Sequence, residues 1–473
     1  FFTFFEATHS PIAIRSSSLL EDSHYQPFAG IYSTYMIPQL DDKEEMLKML
    51  AAAIKSVYAS VFFRDSKAYM TATSNVIDQE KMAVILQEVV GNNYDGRFYP
   101  NLSGVLRSLN FYPIGNEKAE EGIASLALGL GKYIVEGGQT LRVSPFHPEK
   151  VLQTSELHIA LRDTQNTFYA LDMNHVGTDF QVDDGFNMLH LKVKDAVKDG
   201  SLNFIASTYN ADDQLIRDGL YEGGRKLVTF NGLLRQGIIP FPQVLQMAMK
   251  FTSEAMRRPV EIEFACNINA DRTADFYLLQ IRPIVDSKQE LLEDITAVTD
   301  EECLIRSHNS LGHGTSEEIT DVLYVKYDDT FSAADNVKIA EEIGRINQKF
   351  VDEGRNYVLI GPGRWGSSDS WLGVPVKWPD ISAARIIVEV ALKNYRVDPS
   401  QGTHFFQNMT SFGVGYFTVD TNLPGEGGIM RKEMLDVMPA VEETAWVRHV
   451  RFDRPLRILM DGMKQEGVVM TAE

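Results

Sequence analysis

The chain has 473 residues, 44% of them hydrophobic and 23% charged, the balance of an ordinary globular protein with more than one core. Lys and Arg total 45 against 65 Asp and Glu, and a net charge of −20 repels phosphate backbones and argues against general nucleic-acid binding. Two cysteines, Cys266 and Cys303, exclude a disulfide framework, and no apolar run reaches the length of a membrane span, so no membrane partner and a reducing cytoplasm are expected.

From the N-terminus, the apolar run Pro11-Ile12-Ala13-Ile14 reads as a strand and leads into Arg15-Ser16-Ser17-Ser18-Leu19-Leu20-Glu21-Asp22, then Phe28-Ala29-Gly30-Ile31-Tyr32-Ser33-Thr34. A guanidinium, hydroxyls and carboxylates are the groups that hold a polyphosphate and its metal; the same residue types also make caps and turns. Residues 42–63 carry apolar side chains at 46, 47, 50, 53, 54, 57, 58 and 61, which predicts a helix, with Asp42 and Glu45 as its capping box. Met82 to Val90 is a strand candidate, and beyond it come two glycine-containing runs, Ser103-Gly104-Val105 and Leu128-Gly129-Leu130-Gly131-Lys132. Residues 147–235 contain strand-like pieces such as Phe168-Tyr169-Ala170-Leu171-Asp172.

Two further segments, Glu261-Ile262-Glu263-Phe264-Ala265 and Leu278-Leu279-Gln280-Ile281-Arg282-Pro283, alternate polar and apolar residues at the strand period. The polar connector between them predicts a hairpin, on which Glu261 and Glu263 share one face with Gln280 and Arg282. Such a face can hold magnesium and phosphate; equally, an antiparallel sheet can turn a plain charged face to solvent. The charge-rich stretch 287–294 then reads as a domain boundary.

Beyond it the residue types suggest a second α/β domain. Val322-Leu323-Tyr324-Val325 is a strand, residues 335–353 have a helical period stopped by Gly354, and Tyr357-Val358-Leu359-Ile360 opens into Gly361-Pro362-Gly363-Arg364-Trp365-Gly366. That loop fits either an anion site or a turn packed on its tryptophan. In Gly402-Thr403-His404-Phe405-Phe406 the imidazole is either a nucleophile or a packed side chain, and His313 is a weaker candidate of the same kind.

The order Arg-Ser-Ser, Glu-Asp, Phe-Ala-Gly, Gly-Leu-Gly, Glu-x-Glu and Leu-Gln-x-Arg-Pro resembles the nucleotide-binding domain of the phosphoenolpyruvate synthase and pyruvate phosphate dikinase family. The resemblance implies an α/β (α+β) fold: an ATP-grasp-like nucleotide-binding domain over 1–290 with an insertion at about 147–235, then a smaller α/β domain over 291–473 that resembles a diverged swivelling phosphohistidine domain. It implies ATP and Mg2+ as cofactors and a small-molecule acceptor as partner. Arg15, Glu261, Glu263, Gln280 and Arg282 would bind nucleotide, with Glu263 on the metal. His404 would be the carrier through which phosphate passes from MgATP to pyruvate or a related acceptor.

Departures accompany the likeness. Lys132 stands where the family has glutamate, and Leu106-Arg107 follow Ser103-Gly104-Val105 where the family has Phe-Thr, so added positive charge at the site and altered metal use are expected. His404 lacks the two alanines that follow the family's carrier histidine. In the family a lobe carrying a nucleotide-binding lysine precedes the residue corresponding to Arg15, so the rest of a longer chain is expected to supply that lobe. The alternative reading is a nucleotide-binding sensor or scaffold module without turnover.

Overall fold

A computed structural model describes residues 1–19, 21, 29–72, 80–174, 180–284, 294–328, 331–392, 403–411, 413–423, 425–462 and 464–471. The sequence motifs at Leu20, Asp22, Phe28, 287–293 and Gly402 lie outside the described residues. The chain is a mixed α/β protein that divides into two compact units, one of residues 1–67 and 76–284, the other of 68–75 and 285–473.

In the first unit, strand Ile12–Ser18 lies between strands Tyr35–Ile37 and Met82–Glu88 in an antiparallel sheet. Helix Lys43–Ser60 covers one face. Its start follows the sequence signal, because Asp42 accepts hydrogen bonds from the amides of Glu44 and Glu45 at 2.9 and 3.1 Å. Ile12 and Ile14 point into a core with Met46, Leu50, Ala53 and Val57. Period-two alternation then turns Arg15 to the opposite face, away from the helix. By length and composition residues 43–67 could cross a membrane, which counting uninterrupted apolar runs did not show; helix Lys43–Ser60 within that stretch packs one side in this core.

A second, five-stranded antiparallel sheet has the order Ala274–Pro283, Val260–Ile268, Leu102–Arg107, Ile123–Ala127, Leu141–Val143. The hairpin register sets Glu261 opposite Arg282 and Glu263 opposite Gln280, with an irregularity just after Glu263. On the other side Val260–Ile268 pairs with Leu102–Arg107, which sets Glu261 opposite Arg107 and Phe264 opposite Gly104. A Cβ on Gly104 would lie 2.1 Å from the Phe264 ring, so the glycine of the Ser-Gly-Val run is required by packing. Residues 147–235 contribute Phe168, Leu171, Val193, Ile205 and Val228 to the same hydrophobic core as this sheet.

The second unit has a seven-stranded sheet whose four central strands, Gly415–Val419, Ala384–Val390, Tyr357–Pro362 and Asp321–Val325, run parallel. These strands are buried nearly throughout, as parallel strands usually are. Helix Asn336–Glu353 is the crossover between the first two of them in sequence and ends at Gly354 with φ +64°. A five-stranded antiparallel sheet accompanies it.

Candidate functional site

One face of the first unit collects the side chains that the motifs singled out. From strand Ile12–Ser18, Arg15 donates to Glu263 Oε2 at 3.3 Å and to Gln87 Oε1 at 3.2 Å, and makes a short hydrogen bond to Gln280 Oε1. Arg282 donates to Glu263 Oε1 at 3.0 Å and lies 3.6 Å from Glu21 Oε1. Glu21 accepts from Ser16 Oγ at 2.6 Å, and its amide donates to Ser18 Oγ at 2.9 Å. The Ser-rich segment thus ends strand Ile12–Ser18, and its hydroxyls hold a buried carboxylate beside the hairpin.

Glu261 is placed differently from Glu263. The strand alternation put both on one polar face, yet Glu261 is buried and engaged by Arg107, whose Nε and second guanidinium nitrogen approach Glu261 Oε2 at 2.6 and 2.5 Å. A buried carboxylate needs a partner, and the neighbouring strand supplies one directly across the register. Of the two readings of this face, the plain charged surface turned to solvent does not describe Glu261.

The two departures toward positive charge, Arg107 and Lys132, are each paired with carboxylates. The charge of Arg107 is matched by Glu261. That of Lys132 is matched by Glu136 at 3.0 Å and Asp184 at 2.8 Å. Burial by itself would lower the Lys132 pKa, but the two carboxylates outweigh it and hold the ammonium above its ordinary value.

Three residues of this constellation were not singled out as site residues from sequence: Gln87, Glu21 and Arg107. Glu21 stands in the quoted motif and Arg107 directly follows Ser103-Gly104-Val105-Leu106, so position in the motif was the available signal. Gln87 carries no such signal; only the pairing of Met82–Glu88 with Ile12–Ser18 reveals it.

In the second unit, His404 is the first residue of helix His404–Ser411 and is half-buried, and Thr403 Oγ1 accepts from the amide of Phe406 at 3.0 Å. Phe405 and Phe406 are buried. His313 lies on strand His313–Ser316. In the glycine-rich loop Trp365 is fully buried and its Nε1 donates to the Val388 carbonyl at 3.2 Å. A Cβ on Gly361 would meet the Trp365 ring at 2.5 Å, and one on Gly366 would meet Phe405 at 2.2 Å. Gly361 and Gly366 therefore serve packing on aromatic rings, while Gly363 takes a positive φ of 71°.

Fold and motif order together define a nucleotide-binding domain of the dikinase type. Residues 3–302, more than half of the chain, match the family model described as the pyruvate phosphate dikinase AMP/ATP-binding domain, and the chain belongs to that family, whose fold is ATP-grasp-like. It is 29% identical over 157 residues to the uncharacterized phosphotransferase YvkC of Bacillus subtilis strain 168, a match covering 32% of this chain and 17% of that protein. It is 26% identical over 166 residues to the phosphoenolpyruvate synthase of Aeropyrum pernix, covering 34% of this chain and 18% of that protein. These matches span less than a fifth of either relative.

Proposed function

We propose that the first unit binds MgATP and that the protein is a phosphotransferase of the phosphoenolpyruvate synthase type. The observation that carries this reading is the convergence of Arg15, Glu263, Gln280 and Arg282 from three strands on one face. Phosphoryl transfer depends mainly on positioning and charge stabilisation, and this set supplies both. Arg15 and Arg282 are the phosphate-binding cations, since a planar guanidinium matches phosphate oxygens.

Glu263 and Gln280 present hard oxygen donors of the kind magnesium takes. Among the described residues no three His, Cys, Asp or Glu side chains form a metal cage of their own. Magnesium commonly uses one or two carboxylates with substrate phosphates completing its shell, so the donor set fits. Bound there, the metal would neutralise charge on the phosphoryl group. Glu261, tied to Arg107, serves to hold the strand and stays out of the metal shell.

His404 is the candidate carrier within this chain, passing the phosphoryl group to pyruvate or a related small acceptor. The second reading is a nucleotide sensor or scaffold module without turnover, favoured by the buried phenylalanines that follow His404. The test uses full-length protein with magnesium and ATP labelled at the β-phosphate. Acid-labile protein label that disappears in both His404→Ala and Glu263→Gln identifies a dikinase with His404 as carrier. Label lost only in Glu263→Gln puts the carrier elsewhere. Nucleotide binding without label establishes the sensor reading.

A further inference from the structure

The oxygens suited to a metal are the same oxygens that Arg15 holds. One guanidinium nitrogen of Arg15 bonds both Glu263 Oε2 and Gln280 Oε1, while the other reaches Gln87 Oε1. A carboxylate and an amide oxygen converging on one point is a donor set for a hard divalent cation, and here a guanidinium sits on it.

The other two arginines cannot play that part. Arg282 takes the opposite oxygen of Glu263 and is 6% exposed, also beside Glu21; Arg107 is 3% exposed and locked to Glu261. Arg15 is the most exposed of the three at 21%, and only its long side chain need swing for Glu263 Oε2 and Gln280 Oε1 to be freed.

We propose that Arg15 is an internal competitor of the metal: it occupies Glu263 and Gln280 until a polyphosphate draws the guanidinium away, so that divalent cation binds only together with nucleotide. The proposal rests on reading this face as the MgATP site. Its physical basis is plain electrostatics. A cation approaching Glu263 Oε2 meets the positive Arg15 on the same oxygen, and the two cannot share it at contact distance. A nucleotide offers Arg15 better partners, because bidentate charge-assisted bonds to phosphate replace a single 3.3 Å contact to the Glu263 carboxylate and bonds to two neutral amide oxygens. The carboxylate and amide then become available to the metal that the phosphates carry. Arg15 thus makes a metal-only complex unfavourable and couples the two ligands.

The test is Mn2+ binding to full-length protein without nucleotide, read by the electron paramagnetic resonance signal of free Mn2+. Arg15→Met and Arg15→Gln, both uncharged, should bind Mn2+ about tenfold or more tightly than wild type, the size of effect that removing one like charge beside a carboxylate produces. Adding Glu263→Gln to either variant should abolish the gain. Unchanged affinity in both Arg15 variants, with folding verified by circular dichroism, overturns the proposal; so does a gain that survives Glu263→Gln, because the metal would then sit elsewhere. A separate arm titrates a fluorescent ADP analogue with wild type, once with Mg2+ and once in EDTA. No nucleotide binding in either condition would sink the MgATP reading itself, while the Mn2+ comparison still decides the competition.

Discussion

In the first unit the buried carboxylate of Glu261 faces a guanidinium, Arg107, within 2.6 Å, whereas in the second unit the equally buried Glu389 accepts its described hydrogen bonds from neutral donors, the Tyr416 hydroxyl and the Trp365 amide. The consequence differs. Burial raises the Glu389 carboxyl to about 7, against the lowering pull of Tyr416, the Arg364 charge and the Trp365 amide. Asp321, in the same unit, shows that a full set of donors reverses this: burial again raises it, but hydrogen bonds from His449, Arg451, Thr320 and Arg355 bring it well below the usual carboxylate range. A buried carboxylate is thus held either by opposite charge or by keeping its proton.

The most disruptive way to break that contrast is Arg107→Ala, which leaves Glu261 charged, buried and unpaired. A loss of about 3–5 kcal/mol is expected for removing one partner of a buried pair. Urea unfolding of the first unit measures it, and Arg107→Met combined with Glu261→Leu should recover most of the loss. A cost below about 1 kcal/mol for the single change would mean that the pair is solvated.

Glu389 gives a pH signature of opposite sign to an ordinary ion-paired acid. Its folded pKa lies above the unfolded value, so the folded state binds more protons between about 4.5 and 7. Stability contributed by the protonated group is therefore complete below the unfolded pKa and is lost as pH rises through the folded pKa. The size is on the order of 3 kcal/mol for a fully buried group. In Glu389→Gln, which keeps an acceptor for Tyr416, that decline between about pH 4.5 and 7 should flatten. An unchanged slope would show that Glu389 is ionised throughout.

Smaller effects test how the backbone frames the first unit's ion pairs. Gly104→Ala drives a methyl into the Phe264 ring, and overpacking of about 1–3 kcal/mol is expected; the Arg107–Glu261 strand pairing is beside it, so weaker nucleotide binding should accompany the lower unfolding midpoint. Asp42→Ala removes the cap of the helix behind Arg15 and should cost about 1 kcal/mol with nucleotide affinity unchanged. If Asp42→Ala weakened binding as much as Gly104→Ala, positioning of Arg15 from the helix side would matter more than the sheet.

Sequence alone carried the elements with strong local signals. The helix behind Arg15, its Asp42 cap, the 260–283 hairpin and the Gly354 stop follow from periodicity, capping and turn chemistry, all short-range effects. The motif order also carried the family and pointed to Arg15, Glu263, Gln280 and Arg282, whose side chains meet in the structure. What it could not carry was pairing between distant strands. Alternation said only that Glu261 and Glu263 share a face; it took the register with Leu102–Arg107 to give Glu261 to Arg107, and the fold of Ile12–Ser18 against the hairpin to bring Arg15 onto Glu263 and Gln280, with Gln87 beside it. Likewise, nothing local marks Glu389, in a parallel strand that is apolar but for Arg385, as an acid whose carboxyl is pushed up by burial. Which charges meet is set by contacts hundreds of residues apart, and those exist only once the sheets have formed.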